Sequence, residues 1–165
     1  MMKGEGDLEA IYRQHAPAIF RFALGLCRNR AEAEDIVSDT FARVLTRGAT
    51  INAETTRAYL LTVARNIFID AKRRSVRHRH ALTELEYEQA RGGSEATPDS
   101  ARVAHALQTL GLLPEGERSA LLLRVDHGLS YEQIAATLQI SIAAAKVRVH
   151  RARLRLARAQ QEKDQ

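Results

Sequence analysis

Cysteine is scarce in this chain of 165 residues, where Cys27 is the only one. A single cysteine excludes an internal disulfide and a zinc site built on cysteines. Cys27 lies at helical spacing from Phe20, Ala23 and Leu24. This spacing is typical of a thiol in a helical core and not of a nucleophile.

Long apolar runs are also missing. No run approaches the ~20 residues that a membrane span requires, and the first ten residues, MMKGEGDLEA, lack the apolar segment of a secretory signal. We therefore expect a cytoplasmic protein that does not insert into a membrane.

Catalytic constellations are absent as well. The sequence shows no nucleophile-base pair, no glycine loop for phosphate and no cluster of metal ligands. One predicted helix carries several carboxylates without a nearby histidine, whereas a divalent cation needs ligands that converge from several elements. We expect no enzymatic activity, no metal and no cofactor. The carboxylates are those of Glu32, Glu34, Asp35 and Asp39.

Acidic residues are missing from the stretch 143–161, although the chain carries a formal charge of +5 and has a pI near 9.8. Exposed helices usually place acids beside their cations, so a solvated basic face explains this stretch poorly. The imbalance favours a polyanionic partner such as nucleic acid.

The segment 130–155 has the pattern of a helix-turn-helix. Ser130 and Gln133 have the spacing of a capping box, which predicts the start of a short helix. Residues 139–141 supply a three-residue turn, and Ser141 is placed to cap a second helix. Cations on the outer side of that helix could bind guanine edges or phosphates in the DNA major groove. They are Lys146, Arg148, Arg151 and Arg155.

Composition divides the chain into two helical blocks. Residues 81–100 combine acids with glycine and proline, which predicts a flexible acidic linker between a domain at 1–80 and a domain at 101–165. Neither block shows the alternation of a strand, so the predicted fold is all-α, with two small helical domains and a helix-turn-helix at the end of the second. Pro98 has the character of a proline at the first position of a helix.

Four phrases, AEDIVSDTF, RAYLLTVARNIFIDAKRR, LLPEGERSALLLRVDHGLSYEQIAATLQIS and AKVRVHRAR, occur in this order across nearly the whole chain. Together they resemble the extracytoplasmic-function (ECF) type of bacterial RNA polymerase sigma factor, of the sigma-70 family. The resemblance implies a factor that binds core RNA polymerase and directs initiation at promoter DNA through minus-35 and minus-10 elements. It also implies control by an anti-sigma factor, with the chain monomeric when free or bound 1:1 to its inhibitor.

The resemblance also assigns roles to particular residues. The second helix would dock on the polymerase through Glu34, Asp35, Ile36 and Asp39. The third helix would bind and melt the minus-10 element through Tyr59, Arg65, Asn66, Asp70, Lys72, Arg73 and Arg74. The last helix would read the minus-35 element through Ser141, Ala144, Lys146, Val147, Arg148, His150, Arg151 and Arg155.

The sequence departs from the family pattern at several of these places. Tyr59 replaces the usual tryptophan, and a role in the core competes with base stacking for this side chain. Gln139 replaces a glycine, which would cost of order 1 kcal/mol if the turn keeps a left-handed residue. Ala143 and Ala144 replace a glycine-threonine pair, which shifts the expected base reading towards thymine methyl contacts.

An ordinary helix-turn-helix regulator that dimerises on a palindromic operator is the alternative. It would leave the acidic second helix and the basic patch at 72–80 unexplained.

Overall fold

A computed structural model describes residues 5–47, 56–81 and 98–165. Every regular element in these ranges is an α-helix, which confirms the all-α prediction. In chain order they are α1 (Glu5–Cys27), α2 (Arg30–Arg47), α3 (Thr56–Ala81), α4 (Pro98–Leu110), α5 (Glu115–Val125), α6 (Tyr131–Leu138) and α7 (Ile142–Lys163).

The linker predicted at 81–100 overlaps a helix at each of its ends. Ala81 is still the last residue of α3, and α4 begins at Pro98, in which the missing N–H is no loss at a helix start. The residues between them lie outside the described ranges.

Side-chain caps begin several helices where the sequence predicts them. The Asn29 side chain accepts a hydrogen bond from the Glu32 N–H at 2.9 Å, before α2. Ser130 and Gln133 form both hydrogen bonds of the predicted capping box at the start of α6. Each cap satisfies backbone donors that a helix start leaves without a partner.

Helices α1, α2 and α3 form one group around large buried side chains such as Phe22, Leu26 and Leu60. Helices α5, α6 and α7 form a second group around Leu123 and Ile134. Helix α4 contributes no buried residue to either.

The two groups pack against each other, α1 on α5 and α3 on α6, and their buried residues form one continuous core. Gly25 makes the first of these contacts possible. A Cβ atom there would lie 2.8 Å from the Leu122 Cδ1 atom. Glycine therefore lets α1 approach α5 closely.

Arg118 of α5 joins the two groups from a buried position, with 8% of its surface exposed. Its guanidinium donates to the carbonyl oxygens of Leu26 at 2.6 Å, Leu113 at 2.9 Å and Leu110 at 3.0 Å. Leu26 lies in the last turn of α1, where carbonyls lack helical partners, and Leu110 ends α4, where its carbonyl also accepts from the Leu113 N–H at 3.1 Å. One side chain thus caps two helix ends and connects them to α5.

Two further polar contacts cross the interface. The Thr62 hydroxyl donates to the Ala58 carbonyl at 2.8 Å, so the Thr137 hydroxyl is the donor in the 2.9 Å bond between the two threonines. Arg57 Nη2 lies 3.1 Å from His127 Nδ1. Because a guanidinium can only donate, His127 accepts with Nδ1 and is neutral.

Charged groups surround His127, whose side chain is fully buried. Burial lowers the pKa of His127 to about 4. The positive charges of Arg57 in α3 and Arg21 in α1 lower this pKa further, whereas the negative charge of Asp126 raises it. Nε2 lies 3.2 Å from Asp126 Oδ2, and the ring meets Phe22 edge-on. A proton on Nδ1 would face the Arg57 donor and break the contact.

We predict that this histidine makes stability depend on pH. Its pKa is lower in the folded chain than in the unfolded chain, so its contribution is full above about pH 6.5 and is lost as the pH falls towards 4. The unfolding free energy should fall by up to about 3 kcal/mol over this window. Urea unfolding of the wild type and His127→Gln measures the effect. Equal pH dependence in both proteins would contradict it.

We also predict that Arg118→Met lowers the free energy of unfolding by about 3 kcal/mol, because three carbonyl oxygens lose a charged donor. Urea unfolding followed by circular dichroism measures the change. Arg13→Met is the matched control, since the Arg13 side chain is 77% exposed. A loss as small as that of the control would show that Arg118 does not hold the groups together.

Candidate nucleic-acid and polymerase interfaces

The rotation of α7 is set by Ala145, Val149 and Ala152, which are fully buried against α5 and α6. The opposite side of the helix is exposed and carries mixed chemistry: apolar, imidazole and guanidinium groups lie together there. The exposed residues on this side are Ala143, Val147, His150, Arg151, Leu154 and Arg158. Val147, His150 and Arg151 therefore lie on the side of α7 that could enter a groove of duplex DNA.

Two of the arginines predicted to bind the minus-35 element lie instead on the flank towards α5. Arg155 Nε lies 2.8 Å from Glu117 Oε2. The Arg148 guanidinium packs over Gly116, where a Cβ atom would lie 2.7 Å from Nη1. Their role in DNA binding stays a prediction.

Lys146 lies on the other flank of α7, above a ring that the sequence reasoning missed. The Tyr131 ring has Lys146 Nζ at 5.7 Å and the Arg124 guanidinium carbon at 4.4 Å from its centroid. Arg124 also donates to the Leu129 carbonyl at 2.9 Å. Aromatic rings attract cations at such distances, so Tyr131 restrains two positive charges beside the helix-turn-helix. The sequence signal that could have revealed this ring is its position directly after the Ser130 cap of α6.

The turn between α6 and α7 keeps its left-handed residue. Gln139 has φ 54° and ψ 48°, and the following Ile140 N–H donates to the Ala135 carbonyl at 3.0 Å. The turn therefore carries the strain of a left-handed residue that is not glycine, the cost that the sequence indicates for this case. Ser141 then caps α7 by accepting from the Ala144 N–H at 3.0 Å.

Helix α3 presents most of its predicted minus-10 residues along one stripe. Asn66, Asp70 and Arg73 are exposed at spacings of four and three residues, and Arg77 continues the stripe although it was not predicted. Tyr59 lies two turns before Asn66 on the same stripe and is partly buried against the core, and its role in base stacking stays a prediction. Lys72 and Arg74 are also exposed, but they lie outside this stripe.

Arg65 is the exception among the minus-10 residues. Its Nη2 atom donates to Glu115 Oε1 at 3.0 Å, and the two side chains are only 14% and 19% exposed. In this arrangement the Arg65 side chain points into the interface with α5, and its role in DNA binding stays a prediction. A DNA contact of Arg65 requires that interface to open.

Helix α2 exposes three of its four predicted polymerase contacts, Glu34, Asp35 and Asp39. Ile36 is the exception, since it is buried in the core and its side chain cannot reach a partner. Glu34 also borders a groove of about 410 Å³ between α1 and α2 that Tyr12 and other side chains line.

Cys27 behaves as the sequence predicts. It packs against the core, and burial raises the pKa of its thiol to about 11, so the reactive thiolate is disfavoured. The described ranges contain no group of three or more side chains that could hold a metal ion. No helix within them is long and apolar enough to cross a membrane.

Comparison with known proteins identifies both helical groups. The family model for sigma-70 region 2 matches residues 11–78, and that for sigma-70 region 4 matches residues 106–156. The ECF RNA polymerase sigma factor SigL of Mycobacterium tuberculosis is 34% identical over 149 residues, which cover 87% of this chain and 82% of SigL. The chain belongs to the ECF group of the sigma-70 family.

Other relatives of this ECF sigma factor agree. The RNA polymerase sigma factor YlaC of Bacillus subtilis is 31% identical, with 94% of this chain and 92% of YlaC covered. ECF sigma factor SigE of Mycolicibacterium smegmatis is 32% identical over 90% of this chain, which spans only 59% of the length of SigE.

A solved relative shares the arrangement of helices. The sigma factor RpoE of Bartonella quintana, crystallised with the anti-sigma factor NepR, superposes with a TM-score of 0.72 at 28% identity. The match covers 94% of this chain and 97% of RpoE.

We predict that Arg151→Ala weakens binding of the sigma factor to a duplex with its minus-35 element by about 1 to 3 kcal/mol, because Arg151 lies on the outward side of α7. Anisotropy titration of a labelled duplex, selected from a random pool by the polymerase complex, measures the loss. Arg13→Ala removes the same charge from an exposed site on α1 and should change little. Equal affinity of both variants would contradict this role.

Proposed function

We propose that this sigma factor binds core RNA polymerase and directs promoter-specific initiation by recognising minus-35 and minus-10 elements. The observation that carries the proposal is the pair of exposed polar and basic stripes on α3 and α7, each inside a different matched sigma region. The protein performs no catalysis itself and acts in the cytoplasm, together with the polymerase.

In this proposal α7 reads the minus-35 element in the major groove. Val147 and Leu154 offer apolar contact to thymine methyl groups, and Arg151 can fork onto a guanine edge. Lys146 and the neighbouring Arg124 can neutralise phosphates from the flank, since no acid contacts either side chain in the described ranges.

Helix α3 would hold the melted minus-10 strand. Strand opening needs cations along the backbone, a ring on which a base can stack and polar groups that read its edge. One stripe of α3 offers all three. Arg73 and Arg77 supply the cations, the partly exposed Tyr59 supplies the ring, and Asn66 supplies the polar group. Stacking contributes about 1 to 3 kcal/mol per base against an unpairing cost of a few kcal/mol, so the polymerase must contribute the remainder.

The acidic face of α2 would dock on a basic surface of the polymerase. Glu34, Asp35 and Asp39 are exposed on it, and complementary charge raises the association rate and fixes orientation. An anti-sigma factor would compete with the polymerase for this sigma factor, as the co-crystal of the similar RpoE with the anti-sigma factor NepR supports. We expect that complex to be 1:1.

The domain roles follow from these assignments. Residues 1–80 would dock on the polymerase and melt the minus-10 element, and residues 101–165 would read the minus-35 element. A stand-alone dimeric regulator is not favoured, because it gives no role to the sigma region that matches residues 11–78.

Transcription with purified core polymerase tests the function. Genomic DNA of the source organism, transcribed with and without the protein, should yield new transcripts with shared upstream elements when their starts are mapped. Failure of the protein to bind core polymerase at low salt would contradict the proposal.

We predict that Asp35→Asn weakens binding to core polymerase about fivefold, because one exposed charge of the docking face is lost. Binding of the isolated sigma factor to DNA should not change. Asp164→Asn, at the exposed end of the chain, is the control with the same charge change. Biolayer interferometry at two salt concentrations measures both. An equal effect of the two substitutions would refute specific docking.

A further inference from the structure

His150 lies on the outward side of α7 without a partner inside the described part of the chain. Val147 lies almost one turn before it and Leu154 about one turn after it, and all three side chains are exposed. Within residues 5–47, 56–81 and 98–165, no hydrogen bond, ion pair or ring contact involves His150. Both of its ring nitrogens are therefore available to a bound molecule.

The charged neighbours of His150 on α7 are all positive. Lys146 lies one turn before it, Arg151 follows it directly, and Arg153 lies almost one turn after it. The stretch 143–161 contains no acid. No side chain of its own helix can therefore hold a proton on the imidazole ring by ion pairing.

The helices packed against α7 also leave His150 without a carboxylate. Helices α5 and α6 contact the opposite, buried side of α7. In α5, Glu115 and Glu117 each pair with an arginine, and Arg124 lies over a tyrosine ring. The acid of α6 is Glu132, in its first turn. None of these groups contacts His150 in the described residues, so an imidazolium there has to find its negative partner outside the protein.

Duplex DNA supplies such a partner. Phosphates make the surface of the duplex negative, which favours the charged form of an imidazole. A neutral imidazole has one donor and one acceptor, whereas an imidazolium has two donors. In the major groove guanine presents only acceptors, N7 and O6, while adenine and cytosine each present an amino donor. The protonated ring is thus complementary to guanine.

The position of His150 on α7 places it between two apolar contacts. The rise of an α-helix is about 1.5 Å per residue, so Val147 and Leu154 lie about 10 Å apart along the axis. This length corresponds to about three base pairs at about 3.4 Å each. His150 lies between the two, opposite the middle of the three pairs.

We propose that His150 determines specificity in the minus-35 element: it binds guanine near the middle of this three-pair window as an imidazolium, so binding takes up a proton and tightens as the pH falls. The inference rests on the proposed function and deepens its minus-35 surface. It gives promoter recognition by this sigma factor a dependence on pH, because histidine is the side chain that changes charge between about pH 5 and about pH 8.

The pH dependence of duplex binding tests the proposal. The probe is the labelled duplex selected for the Arg151 test, titrated with full-length protein at constant ionic strength. The DNA-bound protein carries more protons than the free protein, so affinity must rise as the pH falls. Anisotropy should show binding about tenfold tighter at about pH 6 than at about pH 8, the change expected if one proton is held about one pH unit more tightly in the complex.

Three variants make the result specific to this ring. His150→Gln should vary less than about twofold with pH; it retains His127, so any effect of that buried histidine remains in it. His150→Arg carries a fixed charge and should bind tightly at both pH values. His105→Gln, on the exposed surface of α4, is the matched control and should keep the wild-type pH dependence. Circular dichroism at both pH values confirms that each variant is folded.

Modified DNA identifies the group that His150 contacts. Replacement of each guanine of the element in turn by 7-deazaguanine removes the N7 acceptor and leaves the phosphates unchanged. One such replacement should abolish the pH dependence of the wild type and should leave the affinity of His150→Gln within about twofold. This result would place the imidazolium on that guanine.

The outcomes separate the inference from the function. Equal pH dependence of wild type and His150→Gln would overturn the inference even if core-dependent transcription is normal. A pH effect that is lost in His150→Gln but survives every 7-deazaguanine replacement would also overturn it, because His150 would then bind a phosphate. Wild-type protein that selects no shared upstream element together with core polymerase would instead overturn the proposed function.

Discussion

The interface between the two helical groups depends on a buried arginine. Arg118 donates hydrogen bonds to carbonyl oxygens at the ends of α1 and α4 and so holds α5 against the first group. Once α5 is fixed, Gly25 and Leu122 pack in close contact, and α6 is brought down on α3. This buried charge and its three acceptors thus act together with the continuous core in orienting the two proposed DNA-binding stripes.

In this closed arrangement, the candidate DNA-binding side of α7 is more exposed to solvent than the side of α3 that carries Arg65. The outward side of α7 carries Val147, His150 and Arg151 in solvent, so the proposed minus-35 surface is accessible. The side of α3 that carries Arg65 is covered by the second group. In this arrangement the proposed duplex-binding side of α7 is open to solvent, whereas the Arg65 side chain of α3 is largely buried.

Local signals in the sequence predicted much of the fold. The capping box at Ser130 and Gln133, the cap at Ser141 and the periodicity of α7 are set by neighbours in the chain, so spacing alone revealed them. Gln139 shows the limit of such reasoning: packing of α6 and α7 stabilises the turn enough to accept a strained residue.

Contacts between distant residues could not be predicted in this way. Arg118 and Leu26 are 92 residues apart, and Arg65 and Glu115 are 50 apart, so no periodicity connects them. An arginine on a basic helix has the same sequence signature whether it faces DNA or a buried carboxylate. Ile36, which the resemblance places among the polymerase contacts, is buried in the core, and spacing alone does not distinguish a buried residue of this helix from a docking one.

Small-angle X-ray scattering of the free, full-length protein tests the closed arrangement most directly. The packed groups predict a radius of gyration of about 15 Å, and the scattering profile of one compact particle. A value well above about 20 Å, with the profile of two tethered bodies, would contradict the account, because α3 would then be open before any polymerase binds.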